Sequence, residues 1–312
     1  MKLKTVFRPD GHTAPLRDQT IKPQTFEVDY FDVPVLIQAF RKMVRGLEYD
    51  ICELAMTTYI CAKAYGKRFT AIPVFPARVF HHGAIVYNTK SGIHSPGDLE
   101  GKKVGVHRGY TVTTGVWIRG ILQHQYGVDL NKITWLLSGD EHVAEFRAPA
   151  NVVPIEKGQN LEEMIVSGEI PAAVNVDVEH PDVKPLISNP IQAAFEALRT
   201  SGHYPINHTV VVRNDLLEAH PGLAEDIFNA FSAAKRSYVE RLRSGRIAEP
   251  TKTDERYRRV LEITGADPLP YGIAPNRLMI NTVMRYAVEQ KILERPFAME
   301  ELFAPGTLGL EG

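Results

Sequence analysis

Cysteine is scarce in this sequence: among 312 residues only Cys52 and Cys61 occur. Two cysteines cannot build the multi-disulfide framework of a small secreted domain. They lie nine residues apart with no CxxC or neighbouring His spacing, which gives no support to a zinc site. We therefore expect two buried free thiols.

An excess of one charge and long apolar runs are also missing. The chain carries 36 Lys and Arg against 37 Asp and Glu, so no net field attracts nucleic acid or an anionic membrane. No apolar run reaches the roughly 18 residues that cross a bilayer, and the start MKLKTVF lacks the apolar core of a signal peptide. These absences predict a cytoplasmic protein with neither nucleic acid nor membrane as a partner. The oligomeric state stays open, with a homo-oligomer among the alternatives.

Several short motifs with known chemistry are absent. The sequence contains no GxGxxG or GxxxxGK[ST] loop, no GxSxG elbow, no HExxH and no DxDxDG. These absences argue against a nucleotide-binding loop, a serine hydrolase and a zinc or calcium site. Because the net charge is near zero, any anion must be recognised by a local group of residues.

Short apolar runs alternate with amphipathic segments along the chain, which is typical of α/β architecture with mostly parallel strands. The segments 113–126, 161–167, 190–201 and 221–242 have the 3.6-residue spacing of helices. The length favours two lobes. Two extended segments, 79–89 and 204–213, are predicted to be strands that cross between them. The prediction is a first lobe of residues 1–84 and 209–312, a second lobe of 85–208, and a central cleft.

Polar side chains follow the predicted strands, at the edge where open parallel sheets bind ligands. The candidates after the strands are Arg8, Asp10 and His12, then Thr57 and Thr58, then Arg108, Tyr110, Thr111 and Thr113, and finally Asn175. In the third group Gly109 permits a tight turn and Thr111 or Thr113 can cap the helix. A helix start flanked by Arg108 predicts a carboxylate or phosphate site. The alternative is a capped helix with a solvated arginine.

The first crossing segment carries Arg78, His81 and His82. Alternation on a strand places Arg78 and His82 on one face and His81 on the other, so one histidine alone can face the cleft. This arrangement argues against a chelating histidine pair. His208 begins the second crossing strand and is expected to face His82.

Glu53 lies in an otherwise apolar strand, where a buried carboxylate needs a partner or a raised pKa. Two interpretations stay open for it. It forms a salt bridge with an arginine such as Arg8 or Arg78, or it is a general acid or base at the crevice.

Five stretches together resemble the 4,5-dihydroxyphthalate decarboxylase family. In order they are VFPARVFHHGAIVYN, DLEGKKVGVHRGYTVTTGVWIRGILQHQYGV, GHYPINHTVVVRNDLLEAHP, DPLPYGIAPNR and MEELFAPGTL. The similarity runs from near residue 3 to near residue 308. Two departures are that His81 stands where the family commonly has arginine, and that SGDEHVAE lacks a glycine pair.

The resemblance implies a type II periplasmic-binding-protein-like fold and cofactor-independent loss of CO2 from a hydroxylated aromatic carboxylate. No metal ligand is assigned, and whether a divalent ion assists stays open. By position the resemblance also points to Trp117 and Arg119. Under this hypothesis Arg78 and Arg108 bind carboxylates and His82 donates the proton, with Glu53 or His12 as its partner. Tyr110, Thr57 and Thr113 position the substrate, together with the other candidates Arg8, Thr58, His81, Thr111, Asn175 and His208.

Two other functions are compatible with the same residues. The chain can be a solute-binding protein that closes on a small carboxylate without changing it, since fold alone does not decide function. It can also be a synthase of the thiamine-precursor type, in which a histidine acts with Cys52 or Cys61.

Overall fold

Eleven strands form two separate mixed sheets in the computed structural model, which describes all residues from 1 to 312. The strands are β1 (Lys2–Val6), β2 (Glu27–Tyr30), β3 (Ile51–Ala55), β4 (Phe69–Ile72), β5 (Ile85–Asn88), β6 (Lys103–Val106), β7 (Thr134–Leu137), β8 (Val152–Pro154), β9 (Ala172–Val174), β10 (Val183–Pro185) and β11 (His208–Arg213). None of the strands exceeds six residues.

Eleven α-helices accompany the strands. They are α1 (Ala14–Arg17), α2 (Leu36–Gly46), α3 (Met56–Ala64), α4 (Thr113–Tyr126), α5 (Leu161–Ser167), α6 (Pro190–Ser201), α7 (Asn214–Ala219), α8 (Leu223–Arg243), α9 (Lys252–Thr264), α10 (Arg277–Glu289) and α11 (Met299–Leu302). None of these helices combines the length and the hydropathy needed to cross a bilayer.

The chain divides into two units, each with its own sheet. Unit 1 comprises residues 1–78, 206–281 and 297–312, and unit 2 comprises 79–205 and 282–296. The boundaries predicted at 84/85 and 208/209 therefore differ from these borders by a few residues. The larger difference is the segment 282–296, which lies with unit 2. Its Tyr286 packs edge-on against Trp117, with ring centroids 5.6 Å apart.

Unit 1 is built on the strand order β2-β1-β3-β11-β4. Strand β1 is parallel to β2 and β3, whereas β11 is antiparallel to both β3 and β4. All five residues of β3 are buried, as expected for a central strand covered on both faces. Helix α3 starts directly after this strand, so the carboxyl end of β3 leads into a helix start.

Unit 2 is built on the strand order β10-β5-β9-β6-β7-β8. Strand β6 is parallel to β7 and β9, and β5 is antiparallel to β9 and β10. Helix α5 packs Leu161, Met164 and Ile165 into a buried cluster beneath this sheet. Helix α4 ends at Gly127, whose φ of 70° is the left-handed conformation that glycine adopts without strain.

The α/β class and the mostly parallel strands are confirmed, with one exception in each sheet. Each sheet contains one strand, β5 or β11, that runs antiparallel to both of its neighbours. The predicted strand over 79–89 is also shorter, since only Ile85–Asn88 is a strand. Residues 79–84 are irregular, and the Ala84 N–H donates to the His81 carbonyl in a turn. Both cysteines are buried free thiols, as predicted.

Candidate active site

Glu53 and His208 form a buried carboxylate–imidazole pair in unit 1. The register of β3 and β11 places Glu53 opposite Val210, so His208 is its diagonal neighbour on the same face. The distance from His208 Nδ1 to Glu53 Oε1 is 2.5 Å. The other carboxylate oxygen, Oε2, accepts the backbone N–H of Arg8 at 2.7 Å. Both oxygens of a side chain that is only 1% exposed are thus hydrogen-bonded.

The electrostatics of this pair favour an ionised Glu53. Burial raises the pKa of the Glu53 carboxyl, but the hydrogen bonds from the His208 ring and the Arg8 backbone, together with the nearby charge of Arg8, outweigh burial and hold the pKa below its ordinary value. An ionised carboxylate only accepts hydrogen bonds, so His208 carries its proton on Nδ1. The ring of His208 also packs edge-on against Phe40, with centroids 5.2 Å apart. The pair therefore fixes the ring and leaves Nε2 for a ligand.

Two further charged groups lie close to the pair, in the loop that follows β1. Asp10 is half-buried, and its carboxyl forms no hydrogen bond or ion pair. The pKa of Asp10 is raised to about 6, mainly by burial and in part by Glu53, against the lowering effect of Arg8. Arg8 is exposed and its guanidinium forms no ion pair. Asp10 follows a strand in the sequence, and the hypothesis drawn from the sequence gives it no role.

His12 is placed in an aromatic environment within unit 1. It is 1% exposed, and its ring lies 5.7 Å from that of Tyr238 and 6.4 Å from that of Tyr257. One ring nitrogen bonds the Pro76 carbonyl, and Nε2 has no hydrogen-bond partner. Burial lowers the pKa of His12 to about 4. The geometry describes a neutral packed ring, and its predicted catalytic role stays a prediction.

Arg78 is buried, and its guanidinium donates to the side-chain oxygen of Asn276. Asn276 Nδ2 in turn donates to the carbonyls of Pro270 and Gly272, at 2.8 Å each. The expectation that a guanidinium of Arg8 or Arg78 pairs with Glu53 is wrong, because the ring of His208 and the backbone of Arg8 occupy its oxygens. Thr57 and Thr58 are fully buried in the first turn of α3.

In unit 2, both His81 and His82 are buried, at 2% and 0% exposure. The predicted alternation is wrong because these residues lie in an irregular segment rather than a strand. His82 Nε2 bonds Gln125 Oε1 at 2.9 Å, whereas Nδ1 has no hydrogen-bond partner. Burial lowers the pKa of His82. The partner expected for His82, Glu53 or His12, is replaced by an amide.

A second buried histidine, His203, lies beside His82 with ring centroids 5.9 Å apart. Trp117 packs edge-on against the same ring at 5.5 Å. Burial and the neighbouring His82 lower the pKa of His203 to about 4. Sequence reasoning missed His203, although it stands in the stretch GHYPINH that carries the family resemblance.

In the anion site predicted before α4, the carboxylate of Glu141 occupies the position of the anion. The backbone N–H of Tyr110, the N–H of Thr111 at 3.1 Å and the Thr111 hydroxyl at 2.6 Å all donate to the Glu141 carboxylate. Helix α4 has Val112 as its N-cap residue and no side-chain cap, so the expected capping by Thr111 or Thr113 is wrong. Thr113 is buried at the first helical position.

Glycine is needed at position 109 because the Glu141 carboxylate lies close to it, and not because of a turn. The positive φ of 72° belongs to Arg108, whose backbone N–H donates to Ser138 Oγ at 3.0 Å. A Cβ on Gly109 would lie 2.6 Å from a carboxylate oxygen of Glu141, which is closer than contacts allow. The other candidate of unit 2, Asn175, has a φ of 59° and donates its backbone N–H to the Ala84 carbonyl at 2.7 Å.

Arg119 is a fully buried cation behind the same turn. Its Nη2 donates to the Tyr110 carbonyl at 2.6 Å, and Nε donates to Gln290 at 2.8 Å. The guanidinium carbon lies 3.9 Å from the centre of the Tyr110 ring. In neither unit does the structure bring together three or more His, Cys, Asp or Glu side chains that could hold a metal ion.

Two curated proteins are similar to the chain along its sequence, and no family model matches it. A 4,5-dihydroxyphthalate decarboxylase of Comamonas testosteroni is 30% identical over 302 residues, which cover 90% of this chain and 91% of that protein. A 4,5-dihydroxyphthalate decarboxylase of Pseudomonas putida is 33% identical over 177 residues, which cover 52% of this chain and 68% of the relative. The first of these similarities spans nearly the whole length of both chains.

Solved structures with little sequence identity share the fold. The periplasmic aliphatic sulphonate binding protein of Escherichia coli is 14% identical with a TM-score of 0.53, over 97% of this chain and 92% of that one. The desulfurization enzyme DSZB is 11% identical with a TM-score of 0.55, over 98% and 97%. A Candida albicans protein with the generic periplasmic binding protein fold is 13% identical with a TM-score of 0.54, over 100% and 99%. Because binding proteins and an enzyme share this fold, the fold does not decide between binding and catalysis.

Proposed function

Because the chain belongs to the 4,5-dihydroxyphthalate decarboxylase family, we propose that it releases CO2 from a hydroxylated aromatic dicarboxylate such as 4,5-dihydroxyphthalate. Family membership makes the chain a carboxy-lyase. The similarity along nearly the whole Comamonas relative is the observation that carries the substrate proposal. The polar groups of unit 1 supply a mechanism for it.

Substrate binding in unit 1 begins with Arg8. A carboxylate is held best by a guanidinium that has no competing partner, because its donors can then form two parallel hydrogen bonds. Arg8 is exposed, forms no ion pair and lies close to Glu53 and Asp10. We assign Arg8 to a substrate carboxylate.

The base in this proposal is His208. Its Nε2 takes the proton of a ring hydroxyl, and the ionised Glu53 stabilises the imidazolium that forms. The phenolate then pushes electron density into the ring, onto the carbon that bears the carboxylate. Glu53 keeps both the orientation and the tautomer of the ring.

The acid in this proposal is Asp10, since its pKa of about 6 keeps about a tenth of the carboxyl protonated at pH 7, far more than for an ordinary aspartate. Asp10 gives its proton to the ring carbon that bears the carboxylate. The carbon–carbon bond breaks, its electrons restore the aromatic ring, and CO2 leaves. His208 returns its proton to the phenolate oxygen, and Asp10 regains one from water. One proton is consumed per CO2, and the electrons balance without a cofactor.

This assignment differs from the hypothesis that His82 is the proton donor. His82 is fully buried and bonded to an amide, whereas His208 has a carboxylate behind it and a side chain that is 11% exposed. A proton donor needs both a supply of protons and contact with the substrate. His82 and Arg78 stay predictions, and variants of His82 can decide its role.

The test is incubation of the purified protein with 4,5-dihydroxyphthalate, with CO2 and the dihydroxybenzoate product measured by mass spectrometry. Phthalate is the control substrate, because it carries both carboxylates but no hydroxyl to push electrons into the ring. We expect CO2 from the first compound and none from the second. Tight binding of 4,5-dihydroxyphthalate without release of CO2 would indicate a solute-binding protein instead.

A further inference from the structure

Residues 109–111 and the loop 138–149 of unit 2 enclose a carboxylate that belongs to the protein itself. Three donors, the N–H groups of Tyr110 and Thr111 and the hydroxyl of Thr111, converge on Glu141. We call these three donors the amide nest. Successive backbone N–H groups of this kind form a general anion-binding concavity.

A second observation places a buried cation with an unused donor beside the amide nest. Arg119 is 0% exposed, yet its Nη1 has no hydrogen-bond partner. This atom would be 3.0 Å from a Cβ on Gly115 in the first turn of α4, and the neighbouring Nη2 bonds the Tyr110 carbonyl. A buried guanidinium with an unused donor therefore lies against the residues that flank the nest. Burial lowers the pKa of Arg119, and the charge of Glu141 partly opposes this shift.

The loop that carries Glu141 is anchored independently of that side chain. Val143 and Phe146 are buried, and the Phe146 ring is parallel to that of Tyr110 with centroids 6.5 Å apart. The N–H of Ser138 donates to the Val106 carbonyl at 3.1 Å. Glu141 itself is only half-buried. Rotation of the Glu141 side chain out of the nest would leave these loop contacts in place.

We propose that Glu141 is an internal substitute for a substrate carboxylate, which occupies the amide nest until an aromatic carboxylate displaces it. The proposal rests on the proposed function for the identity of the substrate, but not for the nest itself. Glu141 satisfies the donors and balances Arg119 in the free protein. A carboxylate of the ligand then takes over both tasks.

A ligand carboxylate can enter the nest only while Glu141 is out of it. The apparent affinity for the ligand is therefore the intrinsic affinity multiplied by the fraction of time that the nest is open. This competition also selects ligands, because a molecule without a carboxylate cannot replace the hydrogen bonds that Glu141 gives up. Removing the charge of Glu141 should therefore strengthen the binding of a carboxylate. A purely structural role predicts the opposite, since loss of the contact would loosen the nest.

The experiment compares the wild-type protein with Glu141→Gln and with Glu156→Gln as the matched control. Glu156 is an exposed acid of unit 2, so its substitution removes one charge without touching the nest. Calorimetry with phthalate measures binding without turnover. We expect Glu141→Gln to bind phthalate about tenfold more tightly than wild type. Its KM for 4,5-dihydroxyphthalate should fall by a similar factor. Glu156→Gln should change neither quantity.

Equal or weaker phthalate binding by a Glu141→Gln protein with an unchanged Tm would overturn the proposal. If Glu141→Gln lowers the Tm, Glu141→Asp takes its place, since it keeps the charge but is one methylene too short for the nest. Tighter binding by Glu141→Asp supports the proposal, and unchanged or weaker binding contradicts it. Because phthalate binding needs no catalysis, this result stands even if the protein releases no CO2 from 4,5-dihydroxyphthalate.

Discussion

His208 in unit 1 and His82 in unit 2 have the same side chain but differ in hydrogen-bond partner and exposure. His208 has an ionised carboxylate on Nδ1 and a partly exposed side chain. His82 has an amide on Nε2, an unbonded Nδ1 and no exposure. A carboxylate stabilises the protonated ring, whereas burial without one disfavours it. Under the proposed mechanism the partner, rather than the histidine itself, decides which ring exchanges protons with the substrate.

Replacing His208 is expected to have the largest effect. His208→Gln keeps the size of the side chain but removes the base, so kcat should fall by about 10²- to 10⁴-fold. Glu53→Gln should lower kcat in the same direction, because the neutral amide no longer stabilises the imidazolium. Steady-state kinetics measures both. A kcat for His208→Gln within threefold of wild type would refute the assigned base.

Acidification should destabilise the folded protein, because it contains buried histidine rings that have no carboxylate partner. The pKa of His203 in the folded protein is about 4, below its ordinary value of 6.5. Above pH 6.5 both states are neutral and stability is complete. As the pH falls from 6.5 towards 4 the unfolded chain binds a proton that the folded chain refuses, which costs up to about 3 kcal/mol of unfolding free energy.

Denaturant titrations at pH 7 and pH 4.5 measure this loss, and His203→Phe should reduce it. His180, a half-buried histidine in a loop of the same unit, is the matched control for substitution. An identical loss in wild type and His203→Phe would show that His203 does not contribute to acid sensitivity.

Arg8 should affect binding more than chemistry. Arg8→Ala removes a guanidinium assigned to a substrate carboxylate, and hydrogen bonds to charged groups are worth about 1.5–3 kcal/mol. We expect KM to rise by about tenfold or more, with a smaller change in kcat. Arg8→Lys should restore part of the loss, since it keeps the charge but not the paired donors. An unchanged KM in Arg8→Ala would remove Arg8 from the site.

The smallest effect on catalysis is expected at His82. His82→Gln should change kcat by less than tenfold, while the loss of a buried hydrogen bond lowers stability by about 1–3 kcal/mol. Kinetics and thermal unfolding of the same sample separate the two quantities. A fall in kcat as large as that of His208→Gln would restore the hypothesis that His82 donates the proton.

Much of the fold was predictable because local signals are strong. Helices over 161–167 and 190–201 were predicted at the bounds that α5 and α6 have. The Asn160 cap and the glycines that follow both helices fix those ends. The family resemblance is confirmed by a relative that matches along nearly its whole length. Local spacing and recognisable stretches of sequence were enough for these conclusions.

The contacts between residues of the site could not be predicted, because each joins residues that are far apart in the sequence and meet only through the tertiary structure. Glu53 and His208 lie 155 residues apart and meet only because β11 runs antiparallel to β3 with one specific alignment. Glu141 reaches the Tyr110 and Thr111 N–H groups from a loop without regular structure. Neither hydropathy nor residue spacing encodes such a contact. The sequence therefore identified candidate residues but not their pairing.

The division of the chain has a practical consequence for dissecting this protein. Tyr286 packs on Trp117, and Gln290 bonds both Arg119 and the Val116 carbonyl. Both residues belong to the segment 282–296, which begins inside α10 and lies in the sequence between two stretches of unit 1, 206–281 and 297–312. A fragment of residues 79–205 would expose an indole and leave a guanidinium without one of its acceptors. Production of unit 2 alone therefore requires the peptide 282–296, either fused by a linker or supplied in trans.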